Sequence, residues 1–174
     1  MSKQLSTASA IIVAAGSSRR MGKNTNKQFL YIDDTPVLAR TLQSFASAKA
    51  IDKIIIVTRQ EDILTVNDLV REFDIKKVSD IVPGGETRSD SVMCGLECAD
   101  NNALVAVHDG ARPFVTTELI NKTVELAGKF GAAAPGVVPK DTVKVANTDN
   151  IIEDTPERNT LRLIQTPQVF RCDE

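Results

Sequence analysis

The sequence predicts an α/β protein in which a mainly parallel sheet carries helices on both faces and a β-hairpin arm projects from it. The sheet is predicted because short apolar runs rich in β-branched residues alternate along the chain with amphipathic segments of helical period. Strands that are buried on both faces are apolar almost throughout, as these runs are. The arm is predicted because a polar turn at 147–150 separates two short extended segments.

The first half of the chain contains three predicted strands and two predicted helices. The strands lie at 10–14, 53–58 and 78–82, and a short extended segment lies at 28–32. Thr35 is the expected N-cap of the first helix and Pro36 its first residue, because proline is pre-organised for that position. Apolar residues then recur at helical spacing as far as Phe45, and again from Ile63 to Phe73 in the second helix.

The same alternation continues in the second half and then gives way to the arm. The predicted elements are a helix capped by Ser89, a strand at 103–107, a helix capped by Thr116 or Thr117 with Leu119, Ile120, Thr123, Val124 and Ala127 inward, a hairpin at 140–145 and 151–153, and a strand-like segment at 169–170. We assign 1–174 to one domain, with 139–160 as a protruding β-arm within it.

The composition favours a single globular domain and excludes several classes of function. With 174 residues, 42% of them hydrophobic and 25% charged, the chain is long enough for one core. No apolar run reaches membrane-spanning length, so we predict a cytoplasmic protein without a membrane partner. A net charge of −2, one tyrosine and no tryptophan argue against binding of a nucleic acid polymer. Three cysteines without a CxxC pair indicate reduced thiols rather than disulfides or a zinc site.

The loop after the first strand carries the clearest sign of a ligand. Ala14, Ala15 and Gly16 end that strand, and small residues let a phosphate approach backbone N–H groups closely. Four basic residues follow at 19, 20, 23 and 27, and no acidic residue precedes Asp33. We therefore predict a polyphosphate site, with an ordinary basic surface turn as the alternative. The Walker A and dinucleotide-binding spacings are both absent.

Two further loops are expected to join this site. Residues 84–88 follow the third strand and residues 108–113 follow the fourth. Ligands of parallel α/β sheets bind at the carboxyl ends of the strands, where all three loops are expected to meet.

Six motifs occur in one fixed order along the chain. They are Ala14-Ala15-Gly16 with Arg20-Met21, Lys27-Gln28, Gly84-Gly85-Glu86 with Arg88 and Ser91-Val92, the run VHDGARP at 107–113, Pro139-x-Asp141-Thr142, and the run QTPQ at 165–168. Together they resemble the 2-C-methyl-D-erythritol 4-phosphate cytidylyltransferase family over about residues 11–170. Ribitol 5-phosphate cytidylyltransferases are similar over the same motifs and differ mainly in their acceptor.

The resemblance implies a Rossmann-like nucleotidyltransferase that transfers a cytidylyl group from CTP to 2-C-methyl-D-erythritol 4-phosphate, releases pyrophosphate and uses Mg²⁺. It implies that Arg20 and Lys27 are catalytic and hold the triphosphate, and that Asp109 holds the metal. The other implied contacts are with CTP (Ala14, Ala15, Gly16, Gly85, Glu86, Arg88, Ser91 and Ala111) and with the acceptor's phosphate (Arg112, Thr142, Arg158 and Thr166). Thr142 and Arg158 are implied to reach across from the arm of a second subunit, which makes the protein a homodimer.

The chemistry of such a transfer needs positive charge more than it needs a base. A phosphomonoester is largely dianionic at neutral pH, so its oxygen can attack phosphorus without first losing a proton. We therefore assign His108 a structural role beside Asp109. The alternatives left open are another sugar phosphate or nucleotide as substrate, and a non-catalytic nucleotide-binding module. Since the chain ends at Glu174, without the further lysine that the resembled family brings to the acceptor phosphate, we also expect a C-terminally incomplete domain.

Overall fold

The computed structural model describes residues 7–16, 26–99 and 104–172. Its strands are β1 (Ala8–Val13), β2 (Tyr31–Ile32), β3 (Thr35–Pro36), β4 (Ile51–Thr58), β5 (Val78–Pro83), β6 (Leu104–Asp109), β7 (Ala132–Ala133), β8 (Gly136–Val137), β9 (Val145–Ala146), β10 (Ile152–Asp154), β11 (Leu163–Ile164) and β12 (Gln168–Arg171). Its α-helices are α1 (Val37–Ser47), α2 (Ile63–Glu72), α3 (Arg88–Leu96) and α4 (Thr117–Phe130), and single 3₁₀ turns lie at Lys27–Phe29, Gln60–Asp62 and Arg158–Thr160.

A mixed, mainly parallel sheet forms the centre of the molecule, as predicted. Its strand order is β5-β4-β1-β6-β12-β7, and β5, β4, β1 and β6 run parallel to one another. β12 pairs antiparallel with β6 and with β7. Val13 is in register with Val57 of β4 and with Asp109 of β6, so the carboxyl ends of these three strands meet at one edge of the sheet.

The two faces of the sheet are covered unequally. On one face, Ile12, Ile54 and Ile56 pack with the buried stripes of α1, α2 and α4. On the other face, Ile11 and Ile55 pack with apolar residues of α3. Complete burial of each such isoleucine stabilises the fold by about 1.5–3 kcal/mol. Successive residues of one strand therefore serve opposite helical layers, and helices lie on both faces as predicted.

Two of the predicted helix starts are wrong. α1 begins at Val37 with Pro36 as its N-cap, because Thr35 and Pro36 instead form the short strand that pairs with β2. α3 is capped by Thr87 rather than Ser89. Thr87 accepts a hydrogen bond from the N–H of Asp90, and it donates both its hydroxyl and its own N–H to the Asp90 carboxylate. The hydrogen bond from the hydroxyl, and after it the one from the N–H, lowers the pKa of Asp90.

The remaining elements agree with the predictions except in detail. The strands at 53–58 and 78–82 are confirmed, and Thr116 caps α4 by accepting the N–H of Leu119 at 3.2 Å. Leu119 itself is exposed and not inward, since it lies in the first turn beside the cap. Within the segment at 28–32, only Tyr31 and Ile32 form a strand, because a 3₁₀ turn at Lys27–Phe29 precedes them.

The arm, defined here as residues 136–164, consists of two small antiparallel ladders. β8 pairs with β11, and β9 pairs with β10 around the predicted polar turn. Asn147 organises that turn, because its side-chain oxygen accepts the N–H groups of Asp149 and Ile151 at 3.0 Å. The predicted hairpin is therefore confirmed, but its first strand is shorter than 140–145.

Two expectations from composition can be compared with the described residues. No helix in the described part of the chain is long and apolar enough to cross a membrane. No disulfide joins the described residues Cys94, Cys98 and Cys172, of which the first two are half-buried and the third is exposed.

Candidate active site

A cleft of about 720 Å³ lies at the carboxyl edge of the sheet, where the three predicted loops meet. A volume of this size is typical of pockets that bind a nucleotide-sized ligand. The residues that line the cleft are Val13, Ala14, Ala15, Gly16, Lys27, Gln28, Gly85, Glu86, Thr87, Arg88, Ser91, Asp109, Ala111 and Arg112. The structure thus brings together every described CTP-contact residue of the sequence prediction with Lys27, Asp109 and Arg112.

The first wall of the cleft is the segment that follows β1, and the backbone of Ala14 holds it in place. Its N–H donates to the carbonyl of Val57 at 2.7 Å, which continues the sheet one residue past β1. Its carbonyl accepts the side-chain amide of Gln28 at 2.6 Å. Gln28 is buried, so this hydrogen bond ties the segment that carries Lys27 to the end of β1.

The segment at Lys27 has a second anchor at its other end. Asn26 donates its side-chain amide to the carboxylate of Asp62 at 2.7 Å, and Arg59 donates to the same carboxylate oxygen at 2.7 Å. Asp62 is buried, and a buried carboxylate is stable only when it is paired in this way. Lys27 therefore lies between two tethered neighbours at the wall of the cleft.

The second wall requires glycine at position 84. A Cβ atom placed on Gly84 would lie 2.6 Å from the Cβ of Ala15 and 2.7 Å from the hydroxyl of Ser91. The N–H of Gly84 also donates to the carbonyl of Thr58 at 2.7 Å, which fixes the loop after β5 against β4. This close approach brings the 84–88 loop against Ala15 in the loop that follows β1, which is called the glycine loop from here on.

The N-terminus of α3 opens into the cleft. Thr87 and Arg88 form its cap and first residue, and both line the cavity. Ser91, one turn further, is buried and donates its hydroxyl to the carbonyl of Thr87 at 3.0 Å. A helix N-terminus presents N–H groups and positive partial charge, which favours an anionic ligand.

Asp109 stands between two arginines at the third wall. Its Oδ1 accepts hydrogen bonds from Arg88 Nε at 3.1 Å and Nη2 at 3.0 Å, and its Oδ2 accepts one from Arg112 Nε at 3.0 Å. Arg112 also donates to the side-chain carbonyl of Gln165. Arg88, which the resemblance implies at the cytosine, therefore bonds the predicted metal ligand in this structure.

His108 is buried directly behind Asp109, as the sequence prediction expected of a structural histidine. Its ring packs against Phe45 with the centroids 4.9 Å apart, and both ring nitrogens have hydrogen-bond partners, Thr166 and the carbonyl of Arg112. Burial lowers the pKa of His108 to about 4 because it disfavours the charged imidazolium. The ring is therefore neutral at physiological pH.

The remaining predicted site residues do not line this cleft. Arg20 lies outside the described residues. Thr142 and Arg158 are exposed on the arm, where Arg158 donates to the carbonyl of Lys140 at 3.0 Å. Thr166 is buried beneath the cleft, and its hydroxyl is within 3.5 Å of the N–H of Asp109. Neither Thr142 nor Arg158 lines the cleft of its own chain, so their roles at the acceptor phosphate stay predictions.

The described residues fit a magnesium ion only if the ligand supplies most of its coordination. No group of three histidine, cysteine, aspartate or glutamate side chains that could hold a metal occurs within the described ranges. Asp109 is a single carboxylate at the wall, and in the described structure its Oδ2 accepts one hydrogen bond. Mg²⁺ is commonly held by one or two carboxylates together with substrate phosphates, and Asp109 suits that arrangement.

The structure adds two polar residues, Gln28 and Thr87, that the sequence prediction did not assign to the site. Gln28 was part of a motif but had no role, and only the structure shows its hydrogen bond to Ala14. Thr87 lines the cleft as the cap of α3. Its signal was present in the sequence, because a threonine followed three residues later by an acidic residue is the pattern of a capping box.

Comparison with known proteins agrees with this geometry. The family model described as IspD, 2-C-methyl-D-erythritol 4-phosphate cytidylyltransferase, matches residues 8–174. A protein of that name from Clostridium botulinum (strain Langeland) is 45% identical over 95% of this chain and 73% of its own length. The corresponding Clostridium acetobutylicum protein is 44% identical over 94% of this chain and 72% of its own length.

Solved structures give the same result. The crystal structure of 4-diphosphocytidyl-2C-methyl-D-erythritol synthase from Anaerococcus prevotii matches with a TM-score of 0.83 and 35% identity, covering 97% of this chain and 71% of the other. A 2-C-methyl-D-erythritol 4-phosphate cytidylyltransferase from Thermus thermophilus matches with a TM-score of 0.69 and 28% identity, again over 97% and 71%. The chain belongs to the 2-C-methyl-D-erythritol 4-phosphate cytidylyltransferase family.

Proposed function

We propose that this protein transfers a cytidylyl group from CTP to 2-C-methyl-D-erythritol 4-phosphate and releases pyrophosphate. The observation that carries the proposal is the cleft itself, in which the glycine loop, the N-terminus of α3 and the Asp109–Arg112 turn meet in a protein of this family. The proposal makes the protein a nucleotidyltransferase of isoprenoid precursor biosynthesis.

The nucleotide is proposed to lie across the first two walls. Gly85, Glu86 and Ser91 would surround the base, while the small residues at 14–16 leave room for the ribose and phosphates. The N-terminus of α3 adds N–H groups that favour an anion at this place. Lys27, and Arg20 from the preceding loop, would hold the triphosphate.

The chemical difficulty is that two anions must meet. The acceptor's phosphate oxygen attacks the α-phosphorus of CTP, a bond to phosphorus forms, and the bond to the departing pyrophosphate breaks. Positive charge held near the α-phosphate lowers this barrier without any proton transfer. Lys27 and Arg20 are proposed to supply it, and His108 takes no part because it is buried and neutral.

Magnesium is proposed as the cofactor, with Asp109 as its protein ligand. A magnesium ion held there would supply positive charge to the substrate's phosphate groups. Asp109 is already bonded to Arg88 and Arg112, so the chain presents three charged groups, one negative and two positive, to the incoming phosphates. Arg112 is proposed to face the acceptor.

A homodimer is proposed because the arm exposes apolar side chains that nothing in its own chain covers among the described residues. Those at least 44% exposed on the arm are Val137, Val138, Val145, Ile151, Ile152, Leu163 and Ile164. Such a patch is typical of a protein interface. In the dimer, Thr142 and Arg158 of one arm would reach the acceptor site of the other subunit.

The function is tested by measuring pyrophosphate release from CTP and Mg²⁺ with each of two acceptors. We expect release with 2-C-methyl-D-erythritol 4-phosphate and at least tenfold less with ribitol 5-phosphate, a difference worth about 1.4 kcal/mol at the transition state. A preference for ribitol 5-phosphate would reassign the acceptor. Tight CTP binding without release from either acceptor would support a nucleotide-binding module instead.

A further inference from the structure

The only histidine of the chain joins two segments at the acceptor side of the cleft. His108 is fully buried on β6, and it is not among the residues that line the cavity. Its Nδ1 lies 2.9 Å from the hydroxyl oxygen of Thr166, and its Nε2 lies 3.2 Å from the carbonyl oxygen of Arg112. The ring therefore bridges the turn after β6 and the segment before β12.

The carbonyl of Arg112 determines the direction of both hydrogen bonds. A carbonyl oxygen can only accept, so Nε2 of His108 must carry the proton. The ring is fully buried and its nitrogens bond a carbonyl and a hydroxyl rather than a carboxylate, which favours the neutral form. A neutral imidazole has one N–H group, so Nδ1 is then an acceptor. The hydroxyl of Thr166 must donate to Nδ1, and its oxygen remains able to accept the N–H of Asp109.

One residue held by this ring, Arg112, carries a positive charge into the cleft. Arg112 is held at its carbonyl by His108, while its guanidinium bonds Asp109 and Gln165. Thr166, next to Gln165, is held at its hydroxyl by the same ring. A shift of the imidazole would therefore move the turn that carries Arg112 and also the segment that carries Gln165, to which the Arg112 guanidinium bonds.

We propose that His108 is a positioning residue that holds the Arg112 guanidinium in place for the acceptor's phosphate. In its Nε2–H tautomer, the ring accepts a hydrogen bond from the Thr166 hydroxyl and donates one to the Arg112 carbonyl. A consequence is that the Thr166 hydroxyl donates its hydrogen bond to Nδ1 of His108 and not to the acceptor. The hydrogen-bond assignment is independent of the proposed function, whereas the role toward the acceptor rests on it.

The tautomer can be read directly, because the chain has one histidine. In a two-bond ¹H–¹⁵N spectrum of histidine-labelled protein without a polyhistidine tag, we expect one protonated nitrogen, Nε2, and one unprotonated nitrogen, Nδ1. A spectrum with the proton on Nδ1, or with both nitrogens protonated at neutral pH, would overturn the proposal. This measurement needs no variant and no turnover.

The partner of Nδ1 is tested with Thr166→Val and Thr166→Ser. Valine has no hydroxyl, so the ¹⁵N resonance of Nδ1 should move to the position of an imidazole nitrogen that accepts no hydrogen bond. Serine keeps the hydroxyl, so the resonance should stay at its wild-type position. Adding 2-C-methyl-D-erythritol 4-phosphate with CTP to the wild type should leave this resonance unchanged. A large movement on adding the acceptor would show that the Thr166 proton turns to the substrate, contrary to the proposal.

Two amide replacements separate positioning of Arg112 from simple packing. The amide nitrogen of His108→Gln is as many bonds from Cβ as Nε2 and can donate to the Arg112 carbonyl, whereas His108→Asn is too short. We expect the Arg112 Nε–H to exchange with solvent about tenfold faster in the asparagine variant than in the glutamine variant, as for the loss of one hydrogen bond. Equal exchange in the two variants would overturn the positioning role.

Kinetics then connect this role to the acceptor. If the wild type is active, the KM for the acceptor should be about tenfold higher in His108→Asn than in His108→Gln, whereas the Kd for CTP should be the same in both variants. Equal acceptor KM values would contradict the role toward the acceptor. Absence of turnover in the wild type itself would instead reject the proposed function, while the spectra still decide the hydrogen bonds. If both amide variants fail to fold, the wild-type and Thr166 spectra remain decisive.

Discussion

The cleft edge of the sheet and the arm at 136–164 differ in what holds their residues in place. At the cleft, loop atoms are bonded to the central strands, as in Gly84 to Thr58 at 2.7 Å and Gly110 to Val13 at 2.8 Å. On the arm, the strands are two or three residues long and every residue of β9 and β10 is exposed. The cleft is therefore formed by the chain's own core, whereas the arm has an apolar surface suited to a partner.

This difference separates the expected effects of mutation. Changes at the cleft should reduce turnover or nucleotide binding in each subunit, because the nucleotide cleft is formed by one chain. Changes on the arm should act through the subunit equilibrium and should leave CTP binding intact.

The largest effect is expected from the basic residues of the glycine loop. Lys27→Ala and Arg20→Ala should each lower kcat by roughly three orders of magnitude, by analogy with arginine fingers in phosphoryl transfer. The melting temperature should change little, because a charged side chain at a cleft wall contributes little to packing. Arg19→Ala and Lys23→Ala, which remove loop charge without an assigned contact, are the matched controls. A large drop in melting temperature for Lys27→Ala would indicate a structural role instead.

The next effect is expected from the close approach of two loops. Gly84→Ala should weaken CTP binding at least tenfold and cost about 1–3 kcal/mol of unfolding free energy, because its methyl group would overlap Ala15 and Ser91. Calorimetry and urea denaturation measure the two effects. Gly16→Ala is the control for stability, since a Cβ there meets no described atom within 4 Å. Normal CTP affinity in Gly84→Ala would show that the 84–88 loop does not shape the nucleotide site.

The arm should respond in the opposite way. Ile151→Ser with Ile152→Ser should weaken dimerisation at least tenfold in sedimentation, because each buried isoleucine contributes about 1.5–3 kcal/mol. CTP binding should be unchanged. Leu64→Ser is the matched control, since Leu64 is 76% exposed on α2, outside the arm. An unchanged dimer, or a wild type that sediments as a monomer, would count against the arm as the interface.

At neutral pH the smallest effect is the contribution of His108 to stability, which becomes large only in acid. Because burial depresses its pKa to about 4 from an unfolded value of 6.5, the unfolded chain binds the proton first. This group's contribution is intact above pH 6.5 and falls by about 3 kcal/mol as the pH is lowered to 4. The hydrogen bond to the Arg112 carbonyl and the charge of Asp109 oppose the shift in pKa, whereas the charge of the Arg112 guanidinium adds to it. Urea denaturation at several pH values should show a steeper loss in wild type than in His108→Gln, and parallel curves would contradict the assignment.

The sequence was sufficient for the parts of the molecule that follow from periodicity. The apolar runs at 53–58 and 78–82 are strands of the central sheet, and the polar turn at 147–150 is the tip of a hairpin. Both patterns are local, so they can be recognised without knowledge of distant contacts. The loops that follow the strands then had to meet at one edge, because parallel strands end together.

The sequence was insufficient where a long-range partner decides the local structure. Thr35 looks like a helix cap, but the pairing of its segment with Tyr31 and Ile32 makes it part of a strand. The side chain of Arg88 could have faced a base or an acid, and only the fold brings it 3.0 Å from Asp109, 21 residues further along the chain. Local propensity cannot encode such contacts.

The most direct test of the account is a calorimetric titration of this chain with CTP, ATP, GTP and UTP in the presence of Mg²⁺. The cleft described here is held by one chain and contains the residues proposed to surround the base, so we predict selective binding of CTP whether or not a dimer forms. Equal binding of all four nucleotides would contradict base selection by Gly85, Glu86 and Ser91. Absence of binding by a chain with a folded circular dichroism spectrum would contradict the cytidylyltransferase function itself.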